Sequence, residues 1–309
     1  MQTNRRRHSY ELFFTLFLFA FFVLAFVKIA CVTEGMRAAL SLCAEVLIPT
    51  LFPFLVLSDL LLSFRGTRRV LLRLSHPFAR LLGFSDEGGA CFLLGNLFGF
   101  PIGVRSAARC HRLGAMQKEE LCRIFCTANN ASPFFLIGFV GAQLLGSSVY
   151  GVFLYLLQFI LSILSAILLK SKRKKPSFLP KAEQAFPVFS FTASVQGAAM
   201  QALYLCAYVL FFSVVSALFA PYLSNDFLHA LFLSFLEIGN ATAFIGKAFP
   251  LSFALPLCAF STCFSGLSVY FQAKDCLREC DVSTALYLPV KLACGTVAFF
   301  LSLLFLKCY

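Results

Sequence analysis

Arg105 ends the broken apolar run GNLFGFPIGVR at 95–105, and Arg109 follows four residues on. Residues at that spacing share one face of a helix. An arginine fork grips a carboxylate through two parallel N–H bonds. The pair is therefore a candidate carboxylate site, with Arg105 favoured because it is nearer the break. Two arginines beside an apolar stretch also serve as plain positive-inside anchors. Upstream, Gly95, Gly99, Pro101 and Gly103 admit two readings. They can form a half-helix tip whose freed amides face an anion, or a tight contact between helices through small residues. The proline favours the tip, since packing alone does not need a broken backbone.

Three further polar groups interrupt apolar sequence. Asn129, Asn130 and Ser132 stand just before Pro133. Glu237 and Asn240 break the run 227–249, and Ser265, Gly266 and Gln272 mark a later one. Polar side chains at membrane depth face a cavity or another helix. The asparagines are either substrate contacts or hydrogen-bond glue between helices. Glu237 could bind a coupling proton or cation, or it could reach the interface or pair with Lys247. Glu45 and Asp59 are weaker candidates of the same kind.

These groups need elements that hold them inside a bilayer, and the composition supplies them. The 309 residues are 60% hydrophobic and 13% charged, with 40 phenylalanines and no tryptophan. A soluble domain carries roughly a quarter charged residues, so the sequence predicts an all-α polytopic membrane protein of about six to eight membrane segments. The net charge of +12 sits in short clusters beside apolar spans, which argues against nucleic acid. The 13 cysteines form no zinc-like spacing, and the four histidines no ligand cluster, so neither metal nor cofactor is expected. No phosphate-binding GxxxxGK[ST] loop and no GxSxG serine occur, so the chain is not expected to be an enzyme.

The spans are predicted at 12–32, 38–62, 149–169, 196–220 and 284–306, with the link 33–37 between the first two. Pro49 and Pro53 kink the second. An amphipathic surface helix is expected over 65–89, a re-entrant hairpin or half-helix over 89–104, and broken segments at 124–145, 227–249 and 251–271. The organisation is then a tail and first span (1–35), a first membrane repeat (36–175), a linker (176–195) and a second repeat (196–309). Phe98–Leu121 and Phe264–Leu286 share a pattern. The first carries the loop 105–123, with five basic and two acidic residues. The second carries 272–283, with two basic and three acidic. That contrast predicts opposite sides of the membrane, two inverted-topology repeats with re-entrant or broken helices, and both termini in the cytoplasm.

Five stretches, in this order, carry a resemblance: LIPTLFPFLVLSDLL (47–61), GFPIGVRSAAR (99–109), TANNASPFFLIGFVG (127–141), LEIGNATAF (236–244) and FSGLSVYFQ (264–272). Together they resemble the YlbJ-like (SpoVV) sporulation integral membrane proteins, which carry nucleoside-recognition Gate domains. The resemblance implies a transporter-like protein of the cell membrane. Its implied role is moving dipicolinic acid across the outer forespore membrane during sporulation. Dipicolinate has two carboxylates, which would suit Arg105 and Arg109. A Gate-type nucleoside or other solute transporter, and a non-transporting scaffold of a sporulation complex, are the alternatives. The implied partners are the lipid bilayer, a small organic anion, a coupling proton or cation, and further copies of the chain.

Overall fold

The computed structural model describes residues 2–170 and 190–308, and no strand occurs among them. Most of the expected linker falls outside this range. Among the described residues, five helices are long and apolar enough to cross a membrane: Ile29–Ser63, Ser148–Leu168, Phe191–Tyr222, Leu251–Asp275 and Tyr287–Cys308. The molecule is an all-α polytopic membrane protein.

The chain opens with α1 (Gln2–Val27) and α2 (Ile29–Leu42). The helix interruption falls at Lys28, and the expected link 33–37 is helical. Ahead of Pro49 the helix widens into a π-helical turn at Cys43–Leu47, then continues as α3 (Ile48–Ser63). Pro53 cannot donate to the helix. The hydroxyl of Thr50 takes the carbonyl of Val46 at 2.6 Å. After one extended residue, Phe64, comes α4 (Arg65–Leu82), amphipathic as expected and ended by Gly83 in the left-handed region.

Next, α5 (Asp86–Phe98) and α6 (Ile102–Arg112) form a helical hairpin. Ser85 caps α5 by accepting from the Gly88 amide. At the tip, Gly99 has φ 88° and the Phe100–Pro101 peptide is cis. The arms touch through glycine: a Cβ on Gly95 would lie 2.9 Å from Gly103 Cα. Then α7 (Lys118–Thr127) unwinds over 128–132 and resumes as a π-helix, Phe134–Leu144, before the unbroken α8 (Ser148–Leu168).

The second half repeats the order. After α9 (Phe191–Phe219), a second hairpin is made of α10 (Asp226–Leu236) and α11 (Ile238–Ala248), joined by extended Glu237. His229 and Phe244 meet across its arms at 4.3 Å. A second broken helix follows, α12 (Leu251–Phe264) and α13 (Gly266–Asp275), turned by Ser265 and Gly266 at φ 73° and 74°. Pro256 lies inside α12 without breaking it. The last span is α14 (Tyr287–Cys308).

Two ends can be told apart. At one, Lys118 pairs with Asp281 at 2.7 Å and Arg112 with Glu279 at 3.6 Å, while Arg123 donates to the carbonyls of Leu82 and Ala166. At the other, Phe153 stacks on Phe305 at 4.0 Å, and a Cβ on Gly246 would meet Leu144 at 3.0 Å. The loops 105–123 and 272–283 thus share an end. Their charge contrast is complementarity between neighbours, so the expectation of opposite sides is overturned. The placing of both termini in the cytoplasm loses its basis with it.

Candidate functional site

The break after Thr127, over 128–132, leaves backbone groups without helix partners, and four neighbours supply them. The Phe100 amide, from the tip of the first hairpin, donates to Asn130 O at 2.7 Å. The side-chain amide of Gln158, on α8, bonds both Ala131 N (3.1 Å) and Ala131 O (2.9 Å). Ser162 donates to Thr127 O. Lys291 Nζ, on α14, donates to Asn129 O at 2.7 Å and to Asn130 Oδ1 at 2.6 Å. The network extends on both sides. Asn130 Nδ2 donates to Asn96 Oδ1 at 2.8 Å, and Asn129 Nδ2 to the hydroxyl of Tyr287 at 2.8 Å.

Lys291 is 2% exposed. An ammonium has three donors, and two are taken by neutral oxygens. Among the described residues no carboxylate pairs with it. Beside it lies a cavity of about 10 Å³, lined by Thr127, Asn130, Gln158, Ser162, Cys263 and Cys294 among others. That is room for one water. Cys263 belongs to α12, so both broken helices reach this point. Lys291 was not among the residues the sequence singled out. The signal was a lone lysine inside the predicted span 284–306, where an ionisable group is a functional candidate by default.

The other expected residues fall into separate places. Gly99 packs against Ser132, whose Cβ would stand 2.8 Å from a Cβ on the glycine. Ser132 accepts from Phe135 N at the start of the following helix. Cβ atoms on Gly95 and Gly103 would sit 2.1 Å and 2.5 Å from Ala128 O. The glycines and Pro101 therefore both shape the tip and make the tight contact. Arg105 and Arg109 do hold a carboxylate, and it is Asp59 of α3: Arg105 Nη2 reaches Oδ2 at 2.8 Å and Arg109 Nη1 reaches Oδ1 at 3.6 Å. Arg109 also donates to Ser63 at 3.2 Å. The fork thus ties the first hairpin to a span, away from the Lys291 cavity lining.

Glu237 is buried and caps its own helix. Its two oxygens accept from Gly239 N (2.9 Å) and Asn240 N (2.7 Å), a favourable place for a carboxylate. Both oxygens bond this helix rather than Lys247. Asn240 donates to Ser213 of α9 at 2.6 Å. Gly266 brings the second break against the second hairpin: a Cβ there would meet Ser234 O at 3.1 Å and Leu236 O at 3.2 Å. Ser265 donates to Thr262 O. Gln272, expected to open a polar loop, is buried within α13 and donates to Ser268 at 3.0 Å.

Fold and site together define an integral membrane protein with paired hairpins, paired broken helices and a buried lysine beside a cavity that both broken helices line. One similar protein is the "Sporulation integral membrane protein YlbJ" of Bacillus subtilis (strain 168), 30% identical over 122 residues. That match covers 39% of this chain and 30% of the relative. No family model and no solved structure matches the chain.

Proposed function

We propose that the chain is a transporter for a small organic anion, working by alternating access around Lys291. The observation that carries this reading is a buried lysine, bonded to neutral oxygens and beside the Tyr287 ring, with no carboxylate partner among the described residues, at a cavity lined by both broken helices; we take it as an ammonium. Such a cation favours an anion, and helix breaks at membrane depth are the usual setting of a transport site. Opposed directions support an inverted repeat. The first hairpin is based at the Arg112–Lys118 end and the second at the Gly246 end, while α7 and α12 start from those opposite ends. This pairs hairpin with hairpin and replaces the pairing of 98–121 with 264–286. The arginine-rich end is cytoplasmic by the positive-inside rule. In this reading the hairpins move to open the water-sized cavity to either side.

Dipicolinate is the proposed anion, transferred into the forespore in a spore-forming host. One of its carboxylates would supply the opposite charge that Lys291 lacks among the described residues. The likeness to a sporulation membrane protein supports the setting. Uptake into vesicles carrying the purified protein, with labelled dipicolinate and labelled nucleosides side by side, tests this. Saturable uptake of dipicolinate alone is expected. Uptake of nucleosides alone would keep a transporter and sink the substrate. Uptake of neither would favour the non-transporting scaffold.

A further inference from the structure

The helix α4 divides into three stripes. Leu71, Ser75, Ala79 and Leu82 face the protein. Arg65, Arg69, Arg73 and Arg80 form a second, exposed stripe, and Val70, Leu74 and Leu81 a third, 54%, 64% and 54% exposed. At 3.6 residues per turn the two outer stripes lie about 100° apart. The packing fixes this rotation. A Cβ on Gly89 of α5 would stand 2.7 Å from Ala79 Cβ, and Arg68 pairs with Glu87 at 2.9 Å. Of the acidic residues that open α5, Glu87 is held by Arg68 on the packed side, and Asp86 by His76, which shares the face of the basic stripe, at 2.8 Å. The four stripe arginines have no acidic partner among the described residues. Only Phe64 separates the helix from the end of a membrane-crossing segment, which sets its depth at the bilayer surface.

We propose that α4 is a lipid-binding strap: the Val70–Leu74–Leu81 stripe enters the acyl layer, and Arg69, Arg73 and Arg80 bind phosphate headgroups of anionic phospholipid. Guanidinium groups suit phosphate, and basic side chains at this depth concentrate anionic lipid. The strap bears directly on the first arm of the first hairpin, so the leaflet composition acts on the element nearest the unwound segment.

The chain has no tryptophan, so Leu74→Trp gives a single emitter on the strap, and Val70→Trp a second if the first fails to fold. The full protein is placed in phosphatidylcholine vesicles containing equal mole fractions of brominated phosphatidylglycerol or brominated phosphatidylcholine. Quenching by the anionic lipid is expected to be at least about twofold stronger. Adding Arg69→Gln, Arg73→Gln and Arg80→Gln should abolish the difference. Soluble glycerol phosphate at matched ionic strength should leave it intact. Equal quenching by both lipids, survival of the difference in the triple variant, or its loss to the soluble phosphate would each overturn the proposal.

Discussion

Lys291 is costly where it stands, because a buried ammonium loses its water and here gains only neutral acceptors. In the proposed transporter the anion supplies the missing charge. A charge-assisted hydrogen bond contributes about 1.5–3 kcal/mol, so replacing the ammonium should weaken anion binding by roughly ten- to a hundredfold. Asp59 is the opposite case, a carboxylate with two cations. Asp59→Asn should destabilise the protein by about 1–3 kcal/mol, discounted for partial exposure, and thermal melting would show it. Combining it with Arg105→Gln should restore part of the loss, as coupled partners do. Full additivity would mean that the pair does not interact. The arginines were legible as a carboxylate fork. Which carboxylate they hold was not, because Asp59 lies 46 positions away and only folding brings it near. Lys291 was equally hidden in its role, since a lysine in an apolar run snorkels or is buried according to the face that packs.

The hairpins and broken helices depend on backbone approach. Gly95 and Gly103 let the first hairpin lie against the Ala128 carbonyl, so Gly95→Val should cost at least about 1–3 kcal/mol through overpacking. Gly138→Ala is the control, because a Cβ there meets nothing within 4 Å. Equal melting temperatures for the two variants would refute the contact. Breaks were the most legible elements: glycine, proline and asparagine within apolar runs located the hairpin tip, the unwound 128–132 stretch, Glu237 and Ser265. Gln272 was misplaced because polarity alone does not separate a loop from a buried amide.

Across the whole molecule, the ends are where the sequence misled. Charge bias in two loops looked like opposite sides of a membrane, while the ion pairs Lys118–Asp281 and Arg112–Glu279 join them. Lys118 donates to Asp281 and holds its carboxyl below the usual range, and the lysine is held above its own. The link is therefore present at neutral pH, above the ordinary carboxylate range. It is lost as pH falls through the depressed value of Asp281. Melting measured against pH should show wild type and Asp281→Asn converging in acid, and a constant gap would contradict this. Side-specific labelling of Lys118→Cys and Asp281→Cys, resolved by peptide, should report one side for both. In the proposed transporter Lys291 holds the anion, and the most direct test of this role is the concentration dependence of dipicolinate uptake in wild type, Lys291→Arg and Lys291→Gln, each checked for folding. Partial retention is expected in Lys291→Arg, and in Lys291→Gln a half-saturating concentration raised by about tenfold or more. Unchanged saturation in folded Lys291→Gln would contradict it.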